Sequence, residues 1–555
     1  MSHYPQATAN AANTHEVTNM PPLLEAYNLY DSDQTLQELV GSESSGAALS
    51  ALGKVVGSPE HIQLGIEANR VKPVLETHNR YGHRIDKVTF HPAYHQLMAL
   101  SCAQGLAAGS WAEQTEAAQL NRAARYYLIN QGETGHGCPV TMTFACVPTL
   151  QKQPDIAAEW LPKVFNTAYD PRNVPHTEKS SVTIGMGMTE KQGGSDVRQN
   201  STRAYPIAER GPGKAYELVG HKFFVSAPMC DAFLVLAQAE AGISCFLVPR
   251  WRPDGSKNPL QIIRLKDKMG NASNASSETE LRGAFGWLIG EEGRGIANIL
   301  EMVALTRFDC LLGSSAAMRA HMTQIIHHLS YRKAFGKTLD QQPLMQNVLA
   351  DMELEAEAAA HLAFRVASAL DNHQDEHEAG ILRLATAVGK YWVCKRQVGH
   401  AYEAMECIGG SAVMENSVMP RLYRDAPINT IWEGSGNVQC LDVLRIMQRD
   451  PTALEAFLAE IQSAKGSDSR LDAHIHTLHQ QLGKGDNREY RARTLTKNMA
   501  LALQGALLIK NAPSTVADAF CAARLQNESG LTYGMLPEGI DCAALIDRGR
   551  VRLLR

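Results

Sequence analysis

Apolar residues recur three and four positions apart between about Pro21 and Ser180, as at Tyr94, Leu97, Met98 and Leu100. That spacing lines one face of a helix and predicts a helical first third of the chain. Near Val182 the period changes. Tyr216–Gly220, Ala232–Ala237 and Ile243–Pro249 are short runs rich in β-branched and aromatic residues, separated by glycine and proline at 211–213, 242 and 253–255. They predict an antiparallel sheet or barrel of about 100 residues. After Gly290-Glu291-Glu292-Gly293-Arg294-Gly295 the helical period returns and holds to Met447. Breaks at Gly336, Asn372–Glu376, Gly409-Gly410 and Pro427 divide it into four or five long helices of bundle type. The remainder is helical in pattern but more polar. The expected class is α+β, mainly α: an N-terminal helical domain (1–181), a middle β domain (182–289), a helix bundle (290–446) and an extra C-terminal helical domain (447–555).

This order excludes the common nucleotide folds, which need alternating strands and helices. Gly185-Met186-Gly187 lacks the third glycine of a dinucleotide fingerprint, since Glu190 stands there. Gly336-Lys337-Thr338 lacks the first glycine of a phosphate loop, where Tyr331 stands. The 555 residues carry 53 Lys+Arg against 58 Asp+Glu, a formal charge of -5, which excludes a histone-like chain. No apolar run reaches the ~18 residues of a membrane span, and the N-terminus lacks the basic and apolar regions of a secretory signal. The 11 cysteines are scattered and form no C-x-x-C pair, which points to reduced thiols in a cytoplasm. No metal site is expected; His373 and His377 are four apart, but the Glu between them is misplaced for a zinc helix.

Three stretches carry candidate chemistry. Met186-Gly187-Met188-Thr189-Glu190 followed by Gly193-Gly194-Ser195-Asp196 joins adjacent glycines, hydroxyls and free backbone N–H groups, a loop suited to a ring-shaped or phosphorylated ligand. Phe223-Phe224-Val225-Ser226 puts aromatic and hydroxyl groups on one strand. Ile431-Trp432-Glu433-Gly434-Ser435-Gly436-Asn437 sets a carboxylate at a helix start in apolar company, where burial raises its pKa and suits it to general-base work. Taken singly, each is equally well a turn, a core strand and a helix cap.

Taken together and in order, these motifs resemble the acyl-CoA dehydrogenase flavoprotein family. The first signature matches Thr189, Glu190, Gly194, Ser195 and Asp196, and the flavin-contacting strand matches Gly220 to Ser226. The Arg-x-x-Phe-Gly element matches Arg332, Phe335 and Gly336, the second signature matches Glu406, Gly409, Gly410, Asn416, Arg421 and Asp425, and the base motif matches Trp432-Glu433-Gly434. The resemblance implies bound FAD held by Met186, Gly187, Met188, Thr189, Gly194, Ser195, Phe224, Val225, Ser226, Ile431, Trp432, Gly434, Ser435, Gly436 and Asn437. It implies Arg332 on the flavin pyrophosphate across a subunit interface, a homotetramer, and Glu433 as the base that takes the proton α to a thioester carbonyl. Arg307 is either a contact to a CoA phosphate or an ordinary helix salt bridge.

Trp432 in place of the usual Tyr, Ala412 and Gln199 in place of small signature residues, and Gly436-Asn437 in place of a Ser-acidic pair argue against efficient turnover of an ordinary acyl-CoA. Strings such as GMGMTEKQGGSDV and PRLYRDAPINTIWEGSGN resemble the alkylation-response branch of the family, whose members carry an extra C-terminal helical domain and bind double-stranded DNA. Here residues 447–555 hold 14 Lys+Arg against 12 Asp+Glu, while the other 446 hold 39 against 46. Lys484, Arg488, Arg491, Arg493 and Lys497 recur along one predicted helix, and Arg548, Arg550, Arg552 and Arg555 crowd the end. On charge alone this is a solvated face; the resemblance makes it a DNA-binding one. The implied function is protection of DNA, or inactivation of alkylating agents, in the response to alkylation damage. A catabolic acyl-CoA dehydrogenase acting on a short or branched acyl-CoA is the alternative, and a DNA-coating protein without turnover is a third.

Overall fold

The computed structural model describes residues 14–41, 46–526 and 532–553; Arg555 and residues 1–13 lie outside the described residues. The N-terminal region contains α1 (Gln34–Val40), α2 (Gly46–Val56), α3 (Pro59–Arg70), α4 (Pro92–Ala103), α5 (Ala118–Gly132), α6 (Gly137–Ala145), α7 (Val147–Gln151) and α8 (Pro154–Val164). The starts of α1, α3 and α4 are capped by the side chains of Asp33, Ser58 and His91. At α3, the Ser58 side chain accepts from the His61 N–H, and Pro59 occupies the first helical position, where a missing N–H costs nothing.

One expectation fails here. The helical run is interrupted by an antiparallel hairpin, β1 (Val74–His78) and β2 (Arg84–Thr89), paired Val74 to Thr89. Asn79 to Gly82 make its turn, with Gly82 at φ 80°, and the alternating burial of Val74–His78 is the period of a strand.

The middle region holds β3 (Ile184–Gly187), β4 (Arg203–Pro206), β5 (Ala215–Ser226), β6 (Ala232–Ala239), β7 (Gly242–Pro249), β8 (Leu260–Leu265) and β9 (Ser276–Ile289). Strand β5 pairs β9, β9 pairs β7 and β7 pairs β6, all antiparallel; β6 meets β4, and β4 returns to β5, so the sheet closes on itself. It is not purely antiparallel as the sequence suggested. Strand β3 enters beside β6 in parallel, Ile184 to Ala232, and β4 touches β6 in parallel at Arg203 and Gln238. Closure shelters the edges that an open sheet would expose.

The bundle comprises α9 (Gly295–Tyr331), a small hairpin of β10 (Lys333–Ala334) and β11 (Lys337–Thr338), then α10 (Pro343–Asp371), α11 (Glu376–Ile408), α12 (Met419–Asp425), α13 (Ile428–Ile431) and α14 (Gly436–Arg449). Three helices of 37, 29 and 33 residues carry its core. The tail adds α15 (Pro451–Gln462), α16 (Ser469–Gly483), α17 (Ala492–Asn511), α18 (Ser514–Phe520) and α19 (Cys542–Arg548). It is fastened to the bundle, with α17 against α10, α11 and α14, and α19 against α10.

Two of the terminal arginines, Arg548 and Arg550, are not free. Arg548 bridges Glu357 and Glu38 at 2.7 Å each, and Arg550 pairs with Asp547 and Asp340. Arg524, buried, pairs with Asp351 and with Glu355. These guanidinium groups pin the tail to the bundle, Arg524 and Arg548 from buried positions and Arg550 from the surface. Among the described residues no helix is long and apolar enough to cross a membrane.

Candidate active site

Glu433 lies in the turn between α13 and α14, and its backbone is in the left-handed region at φ 60°, followed by Gly434 at φ 103°. A non-glycine residue there is strained and persists only where its surroundings enforce it. Three side chains do so. Lys390, from the interior of α11, donates to the Trp432 carbonyl at 2.9 Å and the Gly434 carbonyl at 2.5 Å. Arg307, from α9, donates through Nε to the Glu433 carbonyl at 2.9 Å and pairs with Asp442 at 2.5 Å. Gln439, from the first turns of α14, donates to the Glu433 and Gly434 carbonyls at 3.0 and 3.1 Å.

The Glu433 carboxylate accepts from the Thr306 hydroxyl at 2.8 Å. Burial raises its pKa above the ordinary glutamate value, while the Thr306 hydrogen bond and the charges of Arg307 and Lys390 pull it back only in part. A half-buried carboxylate of raised pKa whose direction is fixed by Thr306 is suited to general-base work. Arg307 thus serves as both salt bridge and loop anchor.

The signature loop is tied to the sheet. The buried Glu190 meets the buried Lys222 at 2.8 Å and accepts from the N–H of Ser201 and of Thr202 at 2.7 and 3.1 Å. Burial alone would lift this carboxyl, but the Lys222 and Thr202 hydrogen bonds outweigh it and hold it well below the usual range. The Thr189 carbonyl accepts from the Phe223 N–H at 2.8 Å, joining the loop to β5. Met186 and Gly187 are buried in β3; Met188 and Thr189 are half-buried; Gly194 and Ser195 are exposed. On β5, Val225 is buried, Phe224 is exposed, and Ser226 shares a hydrogen bond with Ser276 at 3.0 Å.

Cys138, on α6, connects the two halves. It lies within hydrogen-bonding reach of Ser226 and Asn274 and feels the charge of Glu433, and burial pushes its thiol up to about 11. The structure therefore brings the end of β5 and the Glu433 turn to one place. Ile431 is exposed beside them, the Trp432 indole N–H donates to Asn429 at 2.9 Å, and Asn437 accepts from Arg493 of the tail at 2.8 Å.

Arg332 is not brought there. From Arg307 to Arg332 along α9 is about 38 Å at 1.5 Å per residue, and Arg332 instead donates to the Asn19 carbonyl at 2.8 Å. Sequence reasoning also missed Thr306, Lys390, Gln439 and Cys138. Lys390 did leave a signal, as a lone ammonium in the apolar stretch Leu384–Val393.

Profile comparisons match the chain over most of its length: the N-terminal domain of the adaptive response protein AidB over residues 19–171, the acyl-CoA dehydrogenase middle domain over 185–284 and the acyl-CoA dehydrogenase C-terminal domain over 293–448. AidB of Escherichia coli is 44% identical over 523 residues, covering 93% of this chain and 96% of that protein. The chain belongs to the acyl-CoA dehydrogenase family. It has that family's fold with extra C-terminal helices, and members of the family bind FAD. Among solved structures it is similar to Caenorhabditis elegans ACDH-11, determined in complex with C11-CoA, with a TM-score of 0.84 and 28% identity over 94% of this chain and 95% of that one. It also shares the fold of a Bacillus anthracis acyl-CoA dehydrogenase complexed with FAD, with a TM-score of 0.61 and 18% identity over 82% of this chain and 81% of that one.

The Thr306 hydrogen bond favours the ionised carboxylate. Replacing Thr306 with Val is expected to raise the Glu433 pKa further, so the acid limb of a plot of flavin reduction rate against pH moves to higher pH. An unmoved limb would show that the base is another group.

Proposed function

We propose that this chain is an FAD-loaded flavoprotein of the AidB kind that binds double-stranded DNA through its tail and serves the response to DNA alkylation, by covering the DNA or inactivating the alkylating agent. The observation that carries the DNA part is the surface around the start of α17. Lys484, Arg488 and Arg493 are exposed, Lys497 is half-buried, and among the described residues none of them is in an ion pair. Tyr490 stands 92% exposed between them. Unpaired cations with an aromatic among them suit a phosphate backbone.

The arrangement differs from the single helix read in the sequence. Gly483, Gly485 and Asp486-Asn487 end α16, and the segment up to Arg491 is a turn. Arg491 is occupied in that turn, donating to the carbonyls of Lys484 and Asp486 at 2.9 Å. Fluorescence anisotropy with a DNA duplex tests this. Each of Lys484→Ala, Arg488→Ala, Arg493→Ala and Lys497→Ala is expected to lower the slope of log affinity against log salt by about 0.9. Arg491→Ala is expected to loosen the turn and lower stability instead. An unchanged slope in the fourfold variant would overturn the DNA reading.

The donor set fits FAD. The exposed N–H groups of Gly194 and Ser195 and the Ser195 hydroxyl suit its phosphates, and Phe224, Trp432, Thr189 and Ser226 offer ring faces and hydroxyls to its isoalloxazine. Bound FAD supplies a hydride acceptor. Arg332 at the far end of α9 from Arg307, and Phe335 standing 98% exposed at the tip of the β10–β11 hairpin, support completion of the site by a second copy, as the expected homotetramer would supply. Eleven free thiols suit the reducing cytoplasm.

A second reading, dehydrogenation of an acyl-CoA, is favoured by the Glu433 geometry. In it Glu433 takes the proton α to the thioester carbonyl, Thr306 aims the carboxylate, and Lys390, Arg307 and Gln439 hold the strained turn so that no reorganisation is needed during proton transfer. Anaerobic titration with acyl-CoAs and with alkylated duplex separates the readings: bleaching by acyl-CoA supports the second, and DNA binding without bleaching supports the covering role.

A further inference from the structure

Ser226 at the end of β5 and Ser276 at the start of β9 are register partners, and their hydroxyl oxygens lie 3.0 Å apart. Behind them stands Lys268, whose ammonium donates to Ser276 Oγ at 3.2 Å. The row runs from the β8–β9 loop to the place where the end of β5 meets the Glu433 turn. Cys138 marks that place, being within reach of Ser226 and feeling the charge of Glu433.

The loop that carries Lys268 is firmly seated. The Lys266 N–H donates to the Ser276 carbonyl at 2.7 Å, the Asn271 N–H donates to Asp425 at 2.7 Å, and Asn271 Oδ1 accepts from the Thr134 hydroxyl at 3.1 Å. A Cβ at Gly270 would run into the Arg424 carbonyl oxygen, so glycine is needed for the loop to lie against α12.

Lys266 is paired with Glu278 at 2.7 Å. Lys268 is half-buried and in no ion pair among the described residues. Burial lowers its pKa from the ordinary lysine value, and the charges of Asp425 and Glu133 raise it only in part. Both carboxylates are engaged elsewhere, Asp425 with Asn271 and Thr134 and Glu133 with His136 at 2.6 Å. A cation withdrawn from water without a counter-ion costs the fold stability, and what this one is aimed at is the serine pair.

The hydroxyl protons follow from donor chemistry. An ammonium has donors and no acceptor, so Ser276 accepts from Lys268 and is left to donate its own proton to Ser226. The Ser226 O–H is then free to point away from Ser276. The Cys138 thiol beside it, pushed up to about 11 and therefore neutral near pH 7, is too weak an acceptor to hold that proton. Each hydrogen bond in the row polarises the next.

Resting on the reading above that FAD binds against Ser226, we infer that Lys268 is a positioning residue for the flavin. Through Ser276 it presents the Ser226 hydroxyl to the ring as a donor, and its charge favours reduced flavin over oxidised. Uptake of a hydride adds one negative charge to the ring, and a fixed cation near it stabilises that state.

Redox titration of the full-length, FAD-loaded protein without oxygen, read in the visible spectrum against a reference dye, tests the inference. Lys268→Met is expected to keep FAD and to move the balance between reduced and oxidised flavin about tenfold toward the oxidised form. That is a midpoint lower by about 30 mV for a two-electron couple. Ser276→Ala is expected to move it in the same direction, and Lys268→Arg to keep most of the original value. A purely structural lysine would change the urea midpoint and leave the potential alone. An unchanged potential in Lys268→Met with FAD bound overturns the inference and leaves the flavoprotein reading standing. A shift in Lys268→Met with none in Ser276→Ala breaks the route through Ser276 and also overturns it. Failure of the unaltered protein to hold FAD overturns both.

Discussion

Replacing Glu433 with Gln is expected to leave FAD bound and to slow acyl-CoA-dependent flavin bleaching by about a thousandfold or more. The amide keeps the shape of the carboxyl group and can still meet the Thr306 hydroxyl, so the turn held by Lys390, Arg307 and Gln439 has no reason to open. What is lost is the ability to accept a proton. The magnitude follows from the position of the group: a base fixed by three independent anchors has no alternative pose from which a neighbour can substitute. Visible absorbance of the purified variant checks the bound flavin, and stopped-flow mixing with acyl-CoA checks the chemistry. Undiminished bleaching would remove Glu433 from the mechanism.

The largest effect on stability is expected at the Glu190–Lys222 pair. Lys222→Met leaves a fully buried carboxylate without its cation, a change that costs about 3–5 kcal/mol. The midpoint of urea unfolding should fall accordingly. Removing Glu190 as well should recover most of the loss, because the penalty belongs to the unpaired charge and not to the missing bridge. The pH dependence follows from the sign of the shift. Glu190 is held below its ordinary value in the native protein, so its contribution is present above the unfolded glutamate pKa and fades as pH falls through the folded one. In Lys222→Met the carboxyl is raised instead, and acid relieves its penalty. The gap between the two proteins should therefore narrow as pH is lowered. A gap that widens in acid would contradict this assignment of charges.

The element boundaries most visible in the sequence were those written in glycine and proline. Gly336, the Asn372–Glu376 break, Gly409-Gly410 and Pro427 each fall between helices of the bundle, because these residues end helices by backbone geometry wherever they sit. The hairpin Val74–Thr89 was hidden because its burial alternates while its residue types do not: Val74 and Leu75 are adjacent, and the buried Asp86 stands where an apolar residue would be expected. Sheet closure and the parallel entry of β3 were not legible, since they depend on which strands meet across the barrel.

At the site, Glu433 and its loop were readable as a motif. The residues that make the motif work were not. Thr306, Lys390 and Gln439 come from three different helices, and nothing in the spacing of 306, 390 and 439 links them. The same distance misled the reading of the C-terminus: Arg548 looks free until Glu357 and Glu38 are folded against it. Charge along a sequence reports what a segment carries, not what it has left to offer.

The contact between Arg493 and Asn437 has a practical consequence for dissecting the protein. The tail is moored at the helix that follows the Glu433 turn, and α14 itself runs to Arg449. A fragment ending at residue 446 would cut the last turn of α14, free Arg383 from Asp450, and bare the faces of α10 and α11 that α17 covers. Loss of DNA affinity in such a fragment would report damage to the flavoprotein body as readily as removal of a binding surface. Domain deletion is the wrong scalpel for this chain; single charge removals at Lys484 and Lys497, which are in no ion pair among the described residues, test the proposed DNA contact without opening the bundle.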